Sequence, residues 1–329
     1  MKRLIRVIKN WDWPDLLRQT PGRKGIWDGF QFSFESDEKC DYAIILNHPS
    51  QDTMVICPPH HVWAIMQEPP TGSFYWLHRG DVRYWRIYTS DQRLRGRRYV
   101  HAPPALPWHV NRDFDYLTRC SVPSKEHDLS WITSNKASLQ GHQDRMSFLQ
   151  NLQGRLEFDL YGRGFQYIED KWDALAAYRY SLAIENFRNP YYWSEKLVDC
   201  FLSWTMPIYY GCTRIAEFFP REAMVCIDIH DPQAPDKIQE AISGDLWHRN
   251  LDAIAEARRL ALEKYQLFPF VTGQIQLHER SDQVSNAHTS QVIDLTRQLR
   301  APLTVRMWSK IKHLAPISVR LKIRDLLER

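Results

Sequence analysis

Residues 178–211 read YRYSLAIENFRNPYYWSEKLVDCFLSWTMPIYYG, and few folds accommodate that order of elements. The apolar run Ser181-Leu182-Ala183-Ile184 breaks off at Glu185-Asn186, a polar loop follows, and Ser194-Glu195-Lys196 opens an amphipathic segment. Ser194 is a good helix N-cap, and Leu197, Val198, Phe201 and Leu202 recur at the spacing of one buried helical face. Strand, polar loop, helix and strand in this order predict an α/β domain, which places its ligands at strand ends. Glu195 and Lys196 then fall in the first helical turn. Free backbone N–H groups and the positive end of the helix dipole favour phosphate there, and Lys196 adds a point charge. Glu195 repels phosphate, which suits it to accepting hydrogen bonds from sugar hydroxyls. Taken alone, the same three residues also read as a dipole-satisfying Glu and a solvated Lys above a core helix.

The rest of the chain extends the α/β pattern. Short apolar segments at residues 4–8, 42–46, 62–66 and 84–89, bounded by turn residues, read as buried parallel strands. The Pro-rich stretch 101–108 cannot continue a helix or a central strand, and the polar segment 121–130 after it reads as a linker. Beyond it the pattern predicts a strand at 131–135, a helix at 143–152 carrying Arg145, a strand at 156–161, a helix around 172–178 and a last strand at 224–229. Residues 236–265 are helical in pattern. The expected domains are therefore 1–122, 123–290 and a tail, 291–329. Two Rossmann-like α/β domains facing a cleft, with a C-terminal helical tail appended, are the expected architecture.

Composition narrows the function classes. With 329 residues, 43% hydrophobic and 25% charged, the chain reads as globular and long enough for two cores. A net charge of +4 fits a phosphate-bearing small ligand but lacks the dense basic stripe of a nucleic-acid binder. Thirteen Trp residues allow aromatic platforms for sugar rings, although core packing absorbs most Trp. The six Cys have no CxxC spacing, which reads as reduced thiols in a cytosolic protein. The five apolar-rich residues 4–8 are too short for a signal peptide or a membrane span. Residues 306–329 carry seven Lys/Arg against two Asp/Glu, interleaved with apolar positions and split by Pro316. Such a segment lies on an anionic membrane surface or packs as a basic helix on the protein body.

The 178–211 stretch resembles the signature of the family 10 glycosyltransferases, the α-1,3/1,4-fucosyltransferases. Tyr178-Arg179-Tyr180, Ile184-Glu185-Asn186, Tyr192-Trp193-Ser194-Glu195-Lys196-Leu197 and Pro207-Ile208-Tyr209-Tyr210-Gly211 follow its order and spacing. The resemblance covers residues 130–230 well and the N-terminal third only loosely. It implies a GT-B enzyme that moves fucose from GDP-fucose to a saccharide hydroxyl with inversion. The missing N-terminal span points to a bacterial-type member at the cytoplasmic side, and basic C-termini tether some such members to membranes.

Site residues follow from the resemblance. Lys196 and Arg145 match the cations that hold the departing diphosphate, Tyr192 and Glu195 match nucleotide contacts, and Glu185 and Asn186 are read as sugar- and phosphate-positioning groups. Residues 62–70, VWAIMQEPP, resemble the acceptor-side element that ends in a carboxylate, which makes Glu68 the expected general base. Burial that raises its pKa suits that task. Some bacterial members use a carboxylate two residues earlier, where this chain has Met66. No metal cofactor is expected. Asp113-Phe114-Asp115 is a D-x-D without the preceding apolar strand and reads as a solvated loop, and His60-His61 lacks a partner at ligand spacing. The partners expected are a nucleotide sugar and a glycan, with a different donor sugar or a non-catalytic binding role as the alternatives.

Overall fold

A computed structural model of the chain describes residues 3–35, 39–71, 74–137, 139–281 and 289–295. These fall into two compact units. The first comprises the described residues of Met1–Trp13, Gly25–Pro104 and Gln274–Arg329, the second Pro14–Lys24 and Ala105–Gly273.

The first unit is built on strands β1 (Arg3–Ile8), β2 (Ile26–Trp27), β3 (Phe30–Ser33), β4 (Tyr42–Leu46), β5 (Met54–Cys57), β6 (Val62–Ile65), β7 (Arg86–Thr89) and β8 (Tyr99–His101), with a short helix α1 (Tyr75–His78). Seven of them form one sheet in the order β2-β3-β1-β4-β6-β7-β8. Every pairing is parallel except β2 with β3. All residues of β4 and β6 are buried, which is why these strands read as unbroken apolar runs rather than alternating ones. The order reverses between β1 and β4, so the crevice beyond their carboxyl ends is where a ligand is expected.

The second unit carries α2 (Phe114–Arg119), β9 (His127–Ile132), α3 (Gln140–Leu152), β10 (Asp159–Tyr161), β11 (Tyr178–Ile184), α4 (Glu195–Leu202), β12 (Met206–Tyr210) and β13 (Val225–Cys226), followed by α5 (Ala234–Ser243), α6 (Leu246–Arg249) and α7 (Leu251–Leu260). Its sheet runs β10-β9-β11-β12-β13, parallel throughout. Successive residues of β11 serve opposite faces. Tyr180, Leu182 and Ile184 pack with Phe148, Leu149 and Leu152 of α3, while Ala183 packs with Leu197 and Phe201 of α4. The reversal here lies between β9 and β11, beside the residues singled out from sequence. Helix α8 (Leu267–Ser281) then leads back into the first unit, where β14 (Gln291–Asp294) pairs antiparallel with β5.

Two Rossmann-like α/β units are what the expected GT-B class requires. Several finer expectations are corrected. The contact boundary lies at Pro104/Ala105 rather than 122/123, because residues 105–122 pack with the second core: Trp108, Val110 and Leu117 belong to the same cluster as α4. The first unit also takes the described residues from 274 onward, so the described part of 123–290 divides between the two units. Part of the expected linker is β9, whose polar first residues His127 and Asp128 are exposed while Leu129 and Trp131 are buried. The helix expected at 172–178 is a short 3-10 turn, Lys171–Ala174, because Tyr178 is already paired with β9 as the first residue of β11. The last strand shrinks to two residues. Residues 306–329, the expected membrane-facing tail, lie outside the described residues. No helix among the described residues is long and apolar enough to cross a membrane. The six cysteines are free, and Cys40, Cys57, Cys200 and Cys212 are buried.

Candidate active site

The end of β11 and the start of α4 form one charged corner of the second unit. The Glu185 N–H continues the ladder to the Tyr210 carbonyl, which turns the carboxylate inward at 1% exposure. There Oε1 accepts from the Ser194 amide at 2.7 Å, and Oε2 lies 3.2 Å from the Lys196 ammonium. The Ser194 hydroxyl sits 2.7 and 2.8 Å from the two carboxylate oxygens. Ser194 is the expected N-cap, its Oγ accepting from the Lys196 amide at 3.4 Å. Glu185 therefore fixes the first turn of α4, with its acceptors committed inside the protein.

Two glycines let the neighbouring chain close on this corner. A Cβ on Gly211 would stand 2.6 Å from Cγ of Glu185 and 2.5 Å from the Tyr209 hydroxyl, and one on Gly141 would lie 1.9 Å from the Asn186 carbonyl oxygen. Gly141 is in the first turn of α3, so its bareness lets that helix touch the strand end and brings Arg145, one turn on, to the corner. Helix α3 starts three residues earlier than expected, at Gln140. Arg145 is 5% exposed, its Nε has no hydrogen-bond partner among the described residues, and it forms no ion pair among them. Burial pulls its pKa down, while Glu185, Glu195 and Tyr192 act in the other direction. Asn186 has a buried Oδ1, also without a partner among the described residues. Tyr192 is buried, its amide held by Asn189 at 2.6 Å and its ring edge-on to Phe187.

Glu195 faces two lysine ammonium groups and an imidazole rather than open space. Its Oε1 lies 3.4 Å from Lys171, 3.7 Å from Lys196 and 3.8 Å from Nδ1 of His109. Burial works against the carboxylate, but Lys196, Lys171 and His109 outweigh it and hold the group well below the usual range. Lys171 also pairs at 2.9 Å with Asp199, which is 2% exposed and whose other oxygen accepts the His109 amide at 2.7 Å. Desolvation opposes the Lys171 charge, yet Asp199 and Glu195 raise its pKa overall. The sequence reading missed Lys171, Asp199 and His109. A carboxylate inside the apolar run Leu197–Leu202, one turn after Glu195, was the signal available. Positive charge converges nearby: His142 is pushed down to about 4 by burial and by Arg145, Lys136 and Lys196.

Glu68 lies in the first unit, in the bend beyond β6. Its amide points to Asn47 Oδ1 at 3.4 Å, and its carbonyl accepts from Nε2 of His78 at 2.8 Å. Around it the carboxyl ends of the sheet carry a set of polar groups: Asn10 bonds His48 at 3.1 Å, Trp11 donates to Gln67 at 3.2 Å, Asn47 takes the Gln67 amide at 2.8 Å, and the Lys9 ammonium bonds the Trp11 carbonyl at 2.5 Å. Asp113-Phe114-Asp115 is not a solvated loop. Asp113 caps α2 through the Tyr116 amide and Asp115 accepts the Gly22 amide, both at 2.8 Å, so the D-x-D carboxylates organise backbone. His60-His61 does meet a third imidazole, that of His278.

The structure thus gathers Arg145, Glu185, Asn186, Tyr192, Glu195 and Lys196 in one unit and places Glu68 in the other. Residues 122–243 match the sequence model of a family described as glycosyltransferase family 10 (fucosyltransferase), C-terminal part. Among curated proteins, a 4-galactosyl-N-acetylglucosaminide 3-alpha-L-fucosyltransferase of Homo sapiens is 29% identical over 182 residues, 53% of this chain and 46% of that protein. The corresponding Gorilla gorilla gorilla protein is 32% identical over the same shares. The chain thus spans about half the length of these curated relatives, or less. A crystal structure of an alpha1,3-fucosyltransferase superposes with a TM-score of 0.47 at 17% identity, covering 87% of this chain and 91% of that one.

Proposed function

We propose, from the match of residues 122–243 to the family 10 glycosyltransferase model, that the chain is an inverting fucosyltransferase moving fucose from GDP-fucose to a glycan hydroxyl. The observation that carries the reading is Arg145: a buried guanidinium whose Nε has no partner among the described residues, next to a helix start, among residues whose positive charge depresses His142. A buried cation without a counterion is costly, and a diphosphate supplies one. Lys196 adds charge from the first turn of α4, although Glu185 already shares it.

The reaction is a single displacement. The acceptor oxygen attacks the anomeric carbon, the bond from that carbon to the diphosphate oxygen breaks, and the acceptor proton passes to Glu68. GDP departs with the bonding electrons, stabilised by Arg145 and Lys196 in place of a metal ion. Glu195, kept ionised above all by Lys196 and Lys171, accepts from ribose hydroxyls, and Tyr192 and Asn186 complete the donor pocket. Glu185 and Lys171 act as positioning residues. We place this activity at the cytoplasmic face of the membrane, with residues 306–329 as a peripheral contact.

Incubating the protein with radiolabelled GDP-fucose and a panel of glycans tests the reading. Transfer of label to at least one glycan, with GDP released in equal amount, is the expected result. Absence of both transfer and donor hydrolysis across the panel refutes the enzymatic assignment.

A further inference from the structure

His60, His61 and His278 converge in the first unit, offering three ring nitrogens that all lie within 4.8 Å of one another. The first two end the 3-10 turn Pro59–His61 that leads into β6, and the third comes from α8. Nδ1 of His61 is 2.8 Å from the Asp41 carbonyl oxygen. A carbonyl only accepts, so Nδ1 carries the proton and the neutral ring keeps its lone pair on Nε2. Metal-binding imidazoles are commonly oriented in this way by a backbone carbonyl.

The surroundings hold the rings of His61 and His278 and the backbone of His60 in place. The Tyr42 ring stacks on His61 at 3.9 Å and 13°. Trp63 donates its indole N–H to the His60 carbonyl at 2.8 Å and meets the His278 ring edge-on at 5.3 Å. Next in sequence, Glu279 pairs with Arg3 and accepts from the Tyr42 hydroxyl at 3.0 Å, which anchors the backbone that presents His278.

An all-imidazole donor set suits Zn2+, Co2+ or Ni2+ and not the hard cations Mg2+ and Ca2+, which seek oxygen. Tetrahedral coordination at about 2.0–2.1 Å sets ligand nitrogens about 3.4 Å apart, so the rings need to close by at most about 1.4 Å. Side-chain rotation achieves that. We propose that His60, His61 and His278 form a three-histidine site for a divalent transition metal, zinc foremost, which fastens α8 to the turn before β6. A fourth position is left to water. None of the three belongs to the residues assigned to donor binding or proton transfer, so the site stands or falls independently of the transferase reading. Its role is to stabilise the fold, because metal that binds only the folded chain adds its binding energy to folding.

Co2+ titration of the full-length, tag-free protein is the direct test, read by the visible absorption of tetrahedral cobalt. One equivalent is expected to saturate the signal, Zn2+ to displace it, and Zn2+ to raise the melting temperature. His61→Ala and His278→Ala are each expected to weaken cobalt binding by about tenfold or more. Zinc-dependent protection of these three histidines from carbethoxylation, read by mass spectrometry on the unmutated chain, covers the case in which a variant fails to fold. A cobalt signal that does not saturate overturns the proposal. So does binding that survives His61→Ala/His278→Ala, or carbethoxylation of all three rings unchanged by zinc, which leaves an aromatic cluster only.

Discussion

The carboxyl edges of the two parallel sheets are built from opposite materials. In the second unit, the edge at β11 holds Glu185, Lys196, Glu195, Lys171 and Asp199 in one connected ion network, with the buried guanidinium of Arg145 left without an ion pair among the described residues. In the first unit, the edge beyond β1, β4 and β6 carries Asn10, Trp11, Asn47, His48 and Gln67, joined by side-chain hydrogen bonds beside Glu68, and no ion network like that of the second unit ties them together among the described residues; Lys9 there bonds the Trp11 carbonyl. Fixed charges of this kind suit a multiply charged ligand, whose desolvation they offset. Neutral donors and acceptors beside an indole suit hydroxyl groups on an uncharged sugar. One fold class is thus used twice, with the chemistry of each edge set by residues that leave the sheets themselves unchanged.

Glu68→Gln makes the largest break in this contrast. If Glu68 takes the acceptor proton, turnover falls by about 10²- to 10⁴-fold, since that is what a positioned general base contributes. Affinity for GDP, measured by calorimetry, is expected to stay at the wild-type value. A Gln variant that turns over within about threefold of wild type places the base elsewhere, and the carboxylates of the first unit would then be screened in turn. Arg145→Ala acts on the opposite edge. Removing a preorganised donor to the leaving group is expected to lower kcat/KM by about 10²- to 10³-fold and to weaken GDP binding with it. The fold is expected to persist, because Arg145 forms no ion pair among the described residues that its loss would break. Unchanged GDP affinity in this variant ends the assignment of Arg145 to the diphosphate.

Much of this contrast could be read before any coordinates. Strands β4 and β6 were plain as apolar runs because both of their faces are covered, and α4 was plain because Ser194 caps it and its apolar positions share a face. Glu185 and Lys196 belong to a motif whose spacing the fold imposes, since Glu185 must end a strand for Ser194 to cap the next helix, while Arg145 follows only from the family resemblance. What stayed hidden depends on tertiary pairing. Strand β9 begins with exposed His127 and Asp128, so its start looked like linker. Lys171 and Asp199 lie on a short turn and a helix, and nothing local shows that they meet. His278 reaches His60 and His61 only because α8 brings the chain back to the first unit, a return that no periodicity signals. The D-x-D pair erred in the other direction: its carboxylates cap and tie backbone, work that leaves no mark in a pattern search.

The smallest effect concerns His78, which supports Glu68 from behind. Its Nε2 donates to the Glu68 carbonyl at 2.8 Å, so its Nδ1, 2.6 Å from Thr89 Oγ1, is left to accept. A neutral ring satisfies both bonds, and burial pushes its pKa down to about 4. The sign follows from linkage. The unfolded chain takes up this proton near the ordinary histidine pKa of about 6.5 and the folded chain does so only near 4, so unfolding binds protons in that interval. Stability attributable to His78 is therefore full above about 6.5 and declines as pH falls towards about 4. Between pH 7 and about 5.5 the loss is roughly 1 kcal/mol. His142 and His109, both also lowered, contribute in the same direction. His78→Gln can offer an amide N–H to the Glu68 carbonyl and an oxygen to Thr89 without titrating, so urea denaturation across this pH range is expected to show a flatter slope by that amount. An unaltered slope means that the ring is charged or solvated in the folded protein. The same variant sharpens the comparison between the two edges: any shift in the Glu68 backbone is expected to alter turnover while GDP affinity, which the proposal assigns to the other unit, stays constant.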